Sequence, residues 1–215
     1  MIPLMHDFEG ETVLVLGGGA VGARKARRFA AEATVVVLSP AFADRNFGDA
    51  RLVRAAPTAS DVTDWLERLD PALVVAATDD PALNEAAAAA ARDRGALVNR
   101  ADDHGEQDVG HVAVPATVRD DPVTLAVATG GNAPALSKYL RERFEDEFEH
   151  AGAMADLVGD LREDLRDRGV SPEDRRAAVR SVVRSWEVWK ALDSGRSKAE
   201  QVATDVIGDL PGDQL

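Results

Sequence analysis

The chain has no cysteine. That excludes a disulfide scaffold, a thiolate nucleophile, a thiolate-ligated zinc and an iron–sulfur cluster on the chain's own sulfurs. Lysine is scarce: Lys25, Lys138, Lys190 and Lys198 are the whole complement, and arginine supplies the other bases. Positive charge is short altogether, with 25 Lys and Arg against 38 Asp and Glu and a net charge of −13. The excess is not a tail, because residues 1–115 hold 18 acids to 11 bases and residues 116–215 hold 20 to 14. A dispersed acidic coat argues against general DNA or RNA binding, which needs a basic footprint, and against anionic membranes. A halophilic source is the expectation, since a strongly negative surface keeps proteins soluble in concentrated salt. Long apolar runs are also missing, and Asp7, Glu9 and Glu11 interrupt the start. No membrane span or signal peptide is therefore expected, and a soluble cytoplasmic protein is.

What is present is ordinary core material: 45% of the 215 residues are hydrophobic, enough for one large domain or two small ones. Glu11–Leu16 is a short β-branched run that stops at glycines, as a buried strand does. Gly17-Gly18-Gly19-Ala20-Val21-Gly22 follows, then a helix over Ala23–Ala31 and a strand over Thr34–Leu38 that ends at Ser39-Pro40. Strand, glycine turn, helix and strand make one βαβ unit. The alternation continues with a weak strand at Leu52–Val53, a helix over Ser60–Leu69 capped by Ser60, and a strand at Leu73–Ala77. An alanine-rich helix over Pro81–Arg94, closed by Gly95, and a strand at Ala96–Val98 complete it. A parallel Rossmann-like sheet, covered on both faces and spanning residues 1–111, is the expected α/β fold. Beyond it the grammar changes. His111–Val114 and Val123–Ala128 read as strands, and nearly everything from Ala133 reads as helix. Ser171 caps one of these helices, and Ser197-Lys198-Ala199-Glu200 is a capping box for the last. Trp186 and Trp189 share a helical face and are expected to pack in a core or interface.

Gly17-x-Gly19-x-x-Gly22 sits where a dinucleotide needs it. The first glycine permits the tight turn, the second lets backbone approach the pyrophosphate, and the third lets helix and strand pack closely. The helix start adds free N–H groups and a partial positive charge. A plain packing turn is the alternative. The acid that usually ends the second strand and holds the ribose hydroxyls is absent, and Ser39-Pro40 stands there. Arg45 is not far along the chain, so NAD against NADP stays open on these residues. Thr78-Asp79-Asp80 reads either as a helix cap or as part of the ligand edge. Asn99-Arg100-Ala101-Asp102-Asp103-His104 follows the last parallel strand, where a carboxylate can take a proton while hydride leaves for a nicotinamide. An exposed acidic turn is the plainer reading. His104 and His111 lie seven apart in a loop, which is poor metal-ligand spacing, and no metal site is assigned. Thr129-Gly130-Gly131-Asn132-Ala133-Pro134 ends a strand and opens a helix, which suits a substrate carboxylate or a simple turn.

Together these motifs resemble the precorrin-2 dehydrogenase/sirohydrochlorin ferrochelatase family, of the siroheme synthase N-terminal type. The matching pieces are Ile2-Pro3-Leu4, the Gly17–Gly22 turn with Arg24-Lys25-Ala26, Leu38-Ser39-Pro40, and Ala76-Ala77-Thr78-Asp79-Asp80 with Leu83-Asn84. Asn99 with Asp102-Asp103, Pro115-Ala116, and Thr129-Gly130-Gly131 through Leu140-Arg141-Glu142 follow in the family's order. The resemblance implies NAD as hydride acceptor, precorrin-2 as substrate and sirohydrochlorin as product, in siroheme or haem biosynthesis. It implies a homodimer built through about residues 112–147, with a C-terminal helical region over 148–215. It makes Asp102 the acid–base residue, and it places Ala20, Val21, Ser39 and Pro40 against NAD, with Thr78, Asp79 and Asn99 alongside them. Some family members are also lyases that insert Fe²⁺, and nothing in this chain settles that activity. The substrate carries eight carboxylates, so a protein of this charge needs local bases. Arg100, Arg119, Lys138 and Arg141 are the candidates by position, with Thr129, Gly130 and Gly131. Arg100 and Ala101 depart from the usual apolar pair, and the stretch from Asp103 to Gly110 is longer and more hydrophilic than usual. The competing reading is a non-enzymatic dinucleotide-binding sensor that regulates a partner.

Overall fold

The computed structural model describes residues 2–101 and 111–208, which fall into two compact units, Met1–Val114 and Pro115–Leu215. The first unit runs β1 (Thr12–Leu16), α1 (Ala20–Phe29), β2 (Thr34–Ser39), β3 (Arg51–Arg54), α2 (Val62–Leu69), β4 (Leu73–Ala76), α3 (Pro81–Asp93) and β5 (Leu97–Arg100). All pairings are parallel and the strand order is β3-β2-β1-β4-β5. This is a Rossmann-like α/β fold, with its order reversing at β1. The central strands β1, β2 and β4 are buried on both faces, so they carry continuous runs of Val and Leu rather than alternation, while the edge strand β3 is largely exposed. Leu14, Leu16, Val36, Leu38 and Val74 pack under α2 and α3. Val13, Val15, Val35, Val37 and Val75 pack under α1 with Phe47.

The second unit opens with an antiparallel ribbon, β6 (Ala116–Asp120) and β7 (Val123–Val127), and continues as α4 (Pro134–Glu147), α5 (Ala151–Asp167), α6 (Pro172–Arg184), α7 (Trp186–Leu192) and α8 (Arg196–Gly208). Helices α5 to α8 share a core of Met154, Leu157, Leu165, Ala178, Val182, Val188, Leu192 and Ile207. Asp120 of β6 accepts the Gly152 N–H at 2.8 Å, tying the ribbon to the start of α5. No helix among the described residues is long and apolar enough to cross a membrane.

Several local expectations are corrected. His111–Val114 is not a strand: His111 makes a single bridge to Val98, and the strand begins instead at Ala116. Helix α2 starts after Asp61 rather than at a Ser60 cap, because the Asp61 carboxylate turns back to accept the Thr58 N–H and O–H at 2.8 and 2.7 Å. Helix α8 starts at Arg196, so Ser197 lies inside its first turn, and Glu200 accepts from Arg196 Nε at 2.8 Å. The two tryptophans part company. Trp189 packs on the helical core and donates its indole N–H to the Val183 carbonyl at 2.8 Å, while Trp186 is 74% exposed. The Ser171 cap stands as expected, accepting the Asp174 N–H.

Candidate functional site

The parallel register brings four strand ends to one edge. Leu16 pairs with Leu38 and with Ala76, and Ala76 pairs with Arg100. The residues that follow these ends therefore sit side by side: the glycine turn after β1, Ser39 at the end of β2, Ala77-Thr78 after β4 and Ala101 after β5. Backbone bonds stitch them together, with Gly17 N–H on Leu38, Ala77 N–H on Leu16 and Ala101 N–H on Ala76.

Each glycine of the turn does different work. Gly17 has φ +114°, and a Cβ there would lie 2.2 Å from the Ala77 carbonyl oxygen. A Cβ on Gly22 would lie 1.9 Å from the Gly17 oxygen, so only glycine lets α1 come this close to its own turn. Gly18, outside the three-glycine spacing, is needed too: its Cβ would meet the Ala41 oxygen at 2.3 Å and Ser39 Cβ at 2.8 Å. Sequence spacing alone missed this, because the crowding comes from the loop after β2. Gly19 differs from all three. Nothing lies within 4 Å of a Cβ built on it, and its side faces open space. Gly19 is the N-cap of α1, has no side-chain cap bond, and is followed by exposed Ala20 and Val21 with no acid in the first turn. The helix start is thus bare backbone with its amides available to an anion.

Around this cradle the polar groups are fixed. Ser39 is buried and donates its hydroxyl proton to the Ala41 carbonyl at 2.7 Å, which leaves only its lone pairs for a ligand. Pro40 beside it is exposed. Thr78 is held on three sides by buried Asn84, which accepts the Thr78 O–H at 2.7 Å and its N–H at 3.2 Å and donates to its carbonyl at 2.9 Å. Asp80 caps α3 by accepting from Ala82 and Leu83, while Asp79 is exposed. Asn84 was legible only as part of a motif; its signal is an amide placed on the buried alanine stripe of α3. Asn99 is buried, and its Nδ2 donates to the Val112 carbonyl at 2.8 Å. Its Oδ1 finds no donor among the described residues. A buried acceptor left so costs about 1–3 kcal/mol until something donates to it. An open Gly19 flank, bare helix amides and a waiting Asn99 oxygen on one edge fit a bound dinucleotide.

Arg100, at the end of β5, is engaged by the neighbouring helix. Its guanidinium pairs with Glu85 of α3, which also holds Arg92 at 3.3 Å. Asp102, Asp103 and His104 lie outside the described residues. In the second unit, Thr129 donates to the Ala133 carbonyl at 3.1 Å and lies 2.8 Å from the Ser137 hydroxyl. Gly130 and Gly131 both take positive φ there and are exposed. Lys138 is exposed and 3.7 Å from Glu142, and Arg141 pairs with Glu145. Among the described residues no group of three His, Asp or Glu could hold a metal ion. A shallow depression of about 380 Å³, lined by His6, Glu11, Asp70, Pro71 and Arg94, lies at the opposite edge of the sheet and takes no part in this arrangement.

A family model described as "Putative NAD(P)-binding" matches residues 4–116. A precorrin-2 dehydrogenase of Methanosarcina barkeri is 29% identical over 96% of this chain and 93% of its own length. Siroheme synthase 1 of Klebsiella pneumoniae is 33% identical over 99% of this chain, which spans only 47% of that longer protein. The solved structure of SirC, a precorrin-2 dehydrogenase, superposes over 95% of this chain and all of its own with a TM-score of 0.68 at 22% identity, which bears on the fold. The chain belongs to the NAD(P)-binding family, and relatives that match it over nearly its whole length are named precorrin-2 dehydrogenase and siroheme synthase.

Proposed function

We propose that the protein oxidises precorrin-2 to sirohydrochlorin with NAD. The observation that carries this is the shared edge, where the open glycine cradle after β1 and the Asn99 oxygen of β5, which has no donor among the described residues, stand on either side of the β4 end. Bound NAD supplies the acceptor for a hydride from a reduced bridging carbon of the substrate. The Gly17–Gly22 turn, with the amides of Ala20 and Val21, holds the pyrophosphate. Ser39 accepts from a ribose hydroxyl, and Asn99 accepts from a ligand N–H. Asp102, two residues beyond the end of β5 in the chain, takes the proton lost from the substrate as its hydride departs. General base work of this kind contributes about 10²–10⁴-fold. Thr129 to Gly131, Lys138, Arg119 and Arg141 serve the substrate carboxylates. Arg100 joins them only by leaving Glu85.

The test mixes purified protein, NAD and precorrin-2 and follows NADH absorbance. Asp102→Ala is expected to abolish the rise at unchanged NAD affinity; near-normal turnover discards Asp102. A wild-type protein that binds NAD but never reduces it favours the sensor reading. Adding Fe²⁺ to the completed reaction tests iron insertion as a second activity, with Fe²⁺ as substrate.

The same reading includes a homodimer through residues 112–147, a cytoplasmic location and a halophilic source. Supporting the dimer, α4 buries none of its 14 residues fully, and Leu136 and Tyr139 are about half exposed. Supporting the salt reading, the net charge is −13. A melting temperature that fails to rise between low and molar salt would remove it.

A further inference from the structure

The end of β2 lacks the acid that would repel a phosphate, and the strand beside it ends in a base. Arg54 is the last residue of β3 and the register partner of Ser39. The ladder continues one step further, with Ala55 N–H on the Ser39 carbonyl at 3.1 Å, so the backbone at Arg54 is fixed on both sides. Side chains alternate along a strand. Val53 packs against the core under α2 and α3, so Arg54 projects to the other face, the face of α1 and of the glycine turn. Ser39 lies on that same face, its Cβ 2.8 Å from where a Gly18 Cβ would stand. Neighbouring strands are about 4.8 Å apart, within reach of an arginine side chain.

The remaining charges at this corner do not offset Arg54. Asp44 and Arg45 are exposed in the loop after β2 and are opposite in sign, and the Arg45 guanidinium donates to the Asp44 carbonyl at 3.1 Å. Arg54 itself is exposed and makes no ion pair among the described residues. Ser39 has spent its proton on Ala41, so it offers no donor to an anion. Arg45 rides on the exposed loop, whereas the next strand presents a cation at Arg54 on backbone held by the ladder.

We propose that Arg54 reads the ribose 2′ position and lets this site take the 2′-phosphorylated dinucleotide as well as NAD. This rests on the dinucleotide reading above and adds to it a residue that sets cofactor choice. A guanidinium matches a phosphate with paired N–H donors, and charge-assisted bonds of that kind are the strong ones. Against the 2′-hydroxyl of NAD the same group makes at most a neutral contact.

The experiment measures equilibrium binding of NAD and of NADP to the full chain, in wild type, Arg54→Ala and Ser39→Asp. Wild type is expected to bind NADP within about tenfold of NAD. Arg54→Ala should lose about 10- to 100-fold in NADP affinity and less than threefold in NAD affinity. Ser39→Asp should weaken NADP in the same sense without removing Arg54. Thermal melts check the fold, and Arg54→Ala should leave them unmoved because the side chain is exposed. Wild-type NADP binding more than 100-fold weaker than NAD overturns the proposal, and so do equal losses of both ligands in Arg54→Ala. Failure of both dinucleotides to bind wild type overturns the cofactor reading itself, and Arg54 with it.

Discussion

The molecule contains two sheets, and they are finished to different degrees. In the five-stranded sheet β4 is buried at every position and β1 at all but one. In the β6–β7 ribbon no residue is fully buried, and the same holds for α4, which packs along it. A parallel sheet covered by helices on both faces completes its own core. A two-stranded ribbon has too little surface to do so and needs something laid against it. The first unit thus closes its own core beneath a rigid edge, and the 116–147 stretch leaves its surface partly open.

The glycines break or sharpen that contrast most directly. Gly22→Ala forces a Cβ to within 1.9 Å of a buried carbonyl, and the backbone must move. It should cost more than about 3 kcal/mol in urea unfolding and abolish dinucleotide binding. Gly131→Ala, at φ +80° with nothing within 4 Å, should cost about 1 kcal/mol. Equal losses would mean that the first unit is no more tightly built than the second. Gly19→Val separates stability from function. A side chain there meets open space, so the loss of stability should stay near the roughly 1 kcal/mol of a poorer N-cap while dinucleotide affinity falls about tenfold or more.

A second pair compares turns. Thr78 and Thr129 each end a strand and open a helix. Thr78 is locked by three bonds from buried Asn84, whereas Thr129 bonds Ala133 and Ser137 on a partly exposed turn. Asn84→Leu leaves the Thr78 N–H, O–H and carbonyl without their partner and should cost about 2 kcal/mol, with a raised KM for NAD. Thr129→Val should cost about 0.5–1 kcal/mol. Leu136→Glu should leave the melting of the first unit in place while light scattering shows monomers where the wild type shows dimers. A wild type that is monomeric at every concentration removes the dimer.

The same contrast explains what could be read without coordinates. Strands β1, β2 and β4 and the glycine turn were legible because burial on both faces writes continuous Val and Leu runs, whereas the exposed edge strand β3 left only the weak signal of Leu52–Val53. Strand β6 (Ala-Thr-Val-Arg-Asp) was not, because a half-covered ribbon keeps polar and charged side chains and leaves no apolar run. Ser60 and Ser197 misled because a nearby Asp61–Thr58 turn and an Arg196–Glu200 pair settle those helix starts. Gly18 and the lone Asn99 oxygen were beyond any local pattern, since both depend on loops distant in the chain. The pair between Arg100 and Glu85 of α3 was equally beyond local pattern, since the two residues are fifteen apart in the chain.

One substitution in the first unit is expected to stabilise rather than to cost. Lys25 lies on α1 beside Arg24 and Arg28. Burial first, then Arg28 and Arg24, lower its pKa from the usual 10.5 to about 8. A lowered lysine pKa means that the folded state disfavours the charge. Below about pH 8 folded and unfolded chains both carry the proton, and the cost is borne in full. Between about 8 and 10.5 the unfolded chain holds more protons, so stability rises with pH. Lys25→Met removes this dependence. It should be the more stable protein at pH 7 by about 1 kcal/mol, a value discounted because solvent still reaches the ammonium. The advantage should shrink when both are unfolded in urea at pH 9.5. An advantage of the same size at both pH values would trace to methionine packing, and the charge on α1 would then cost the fold nothing.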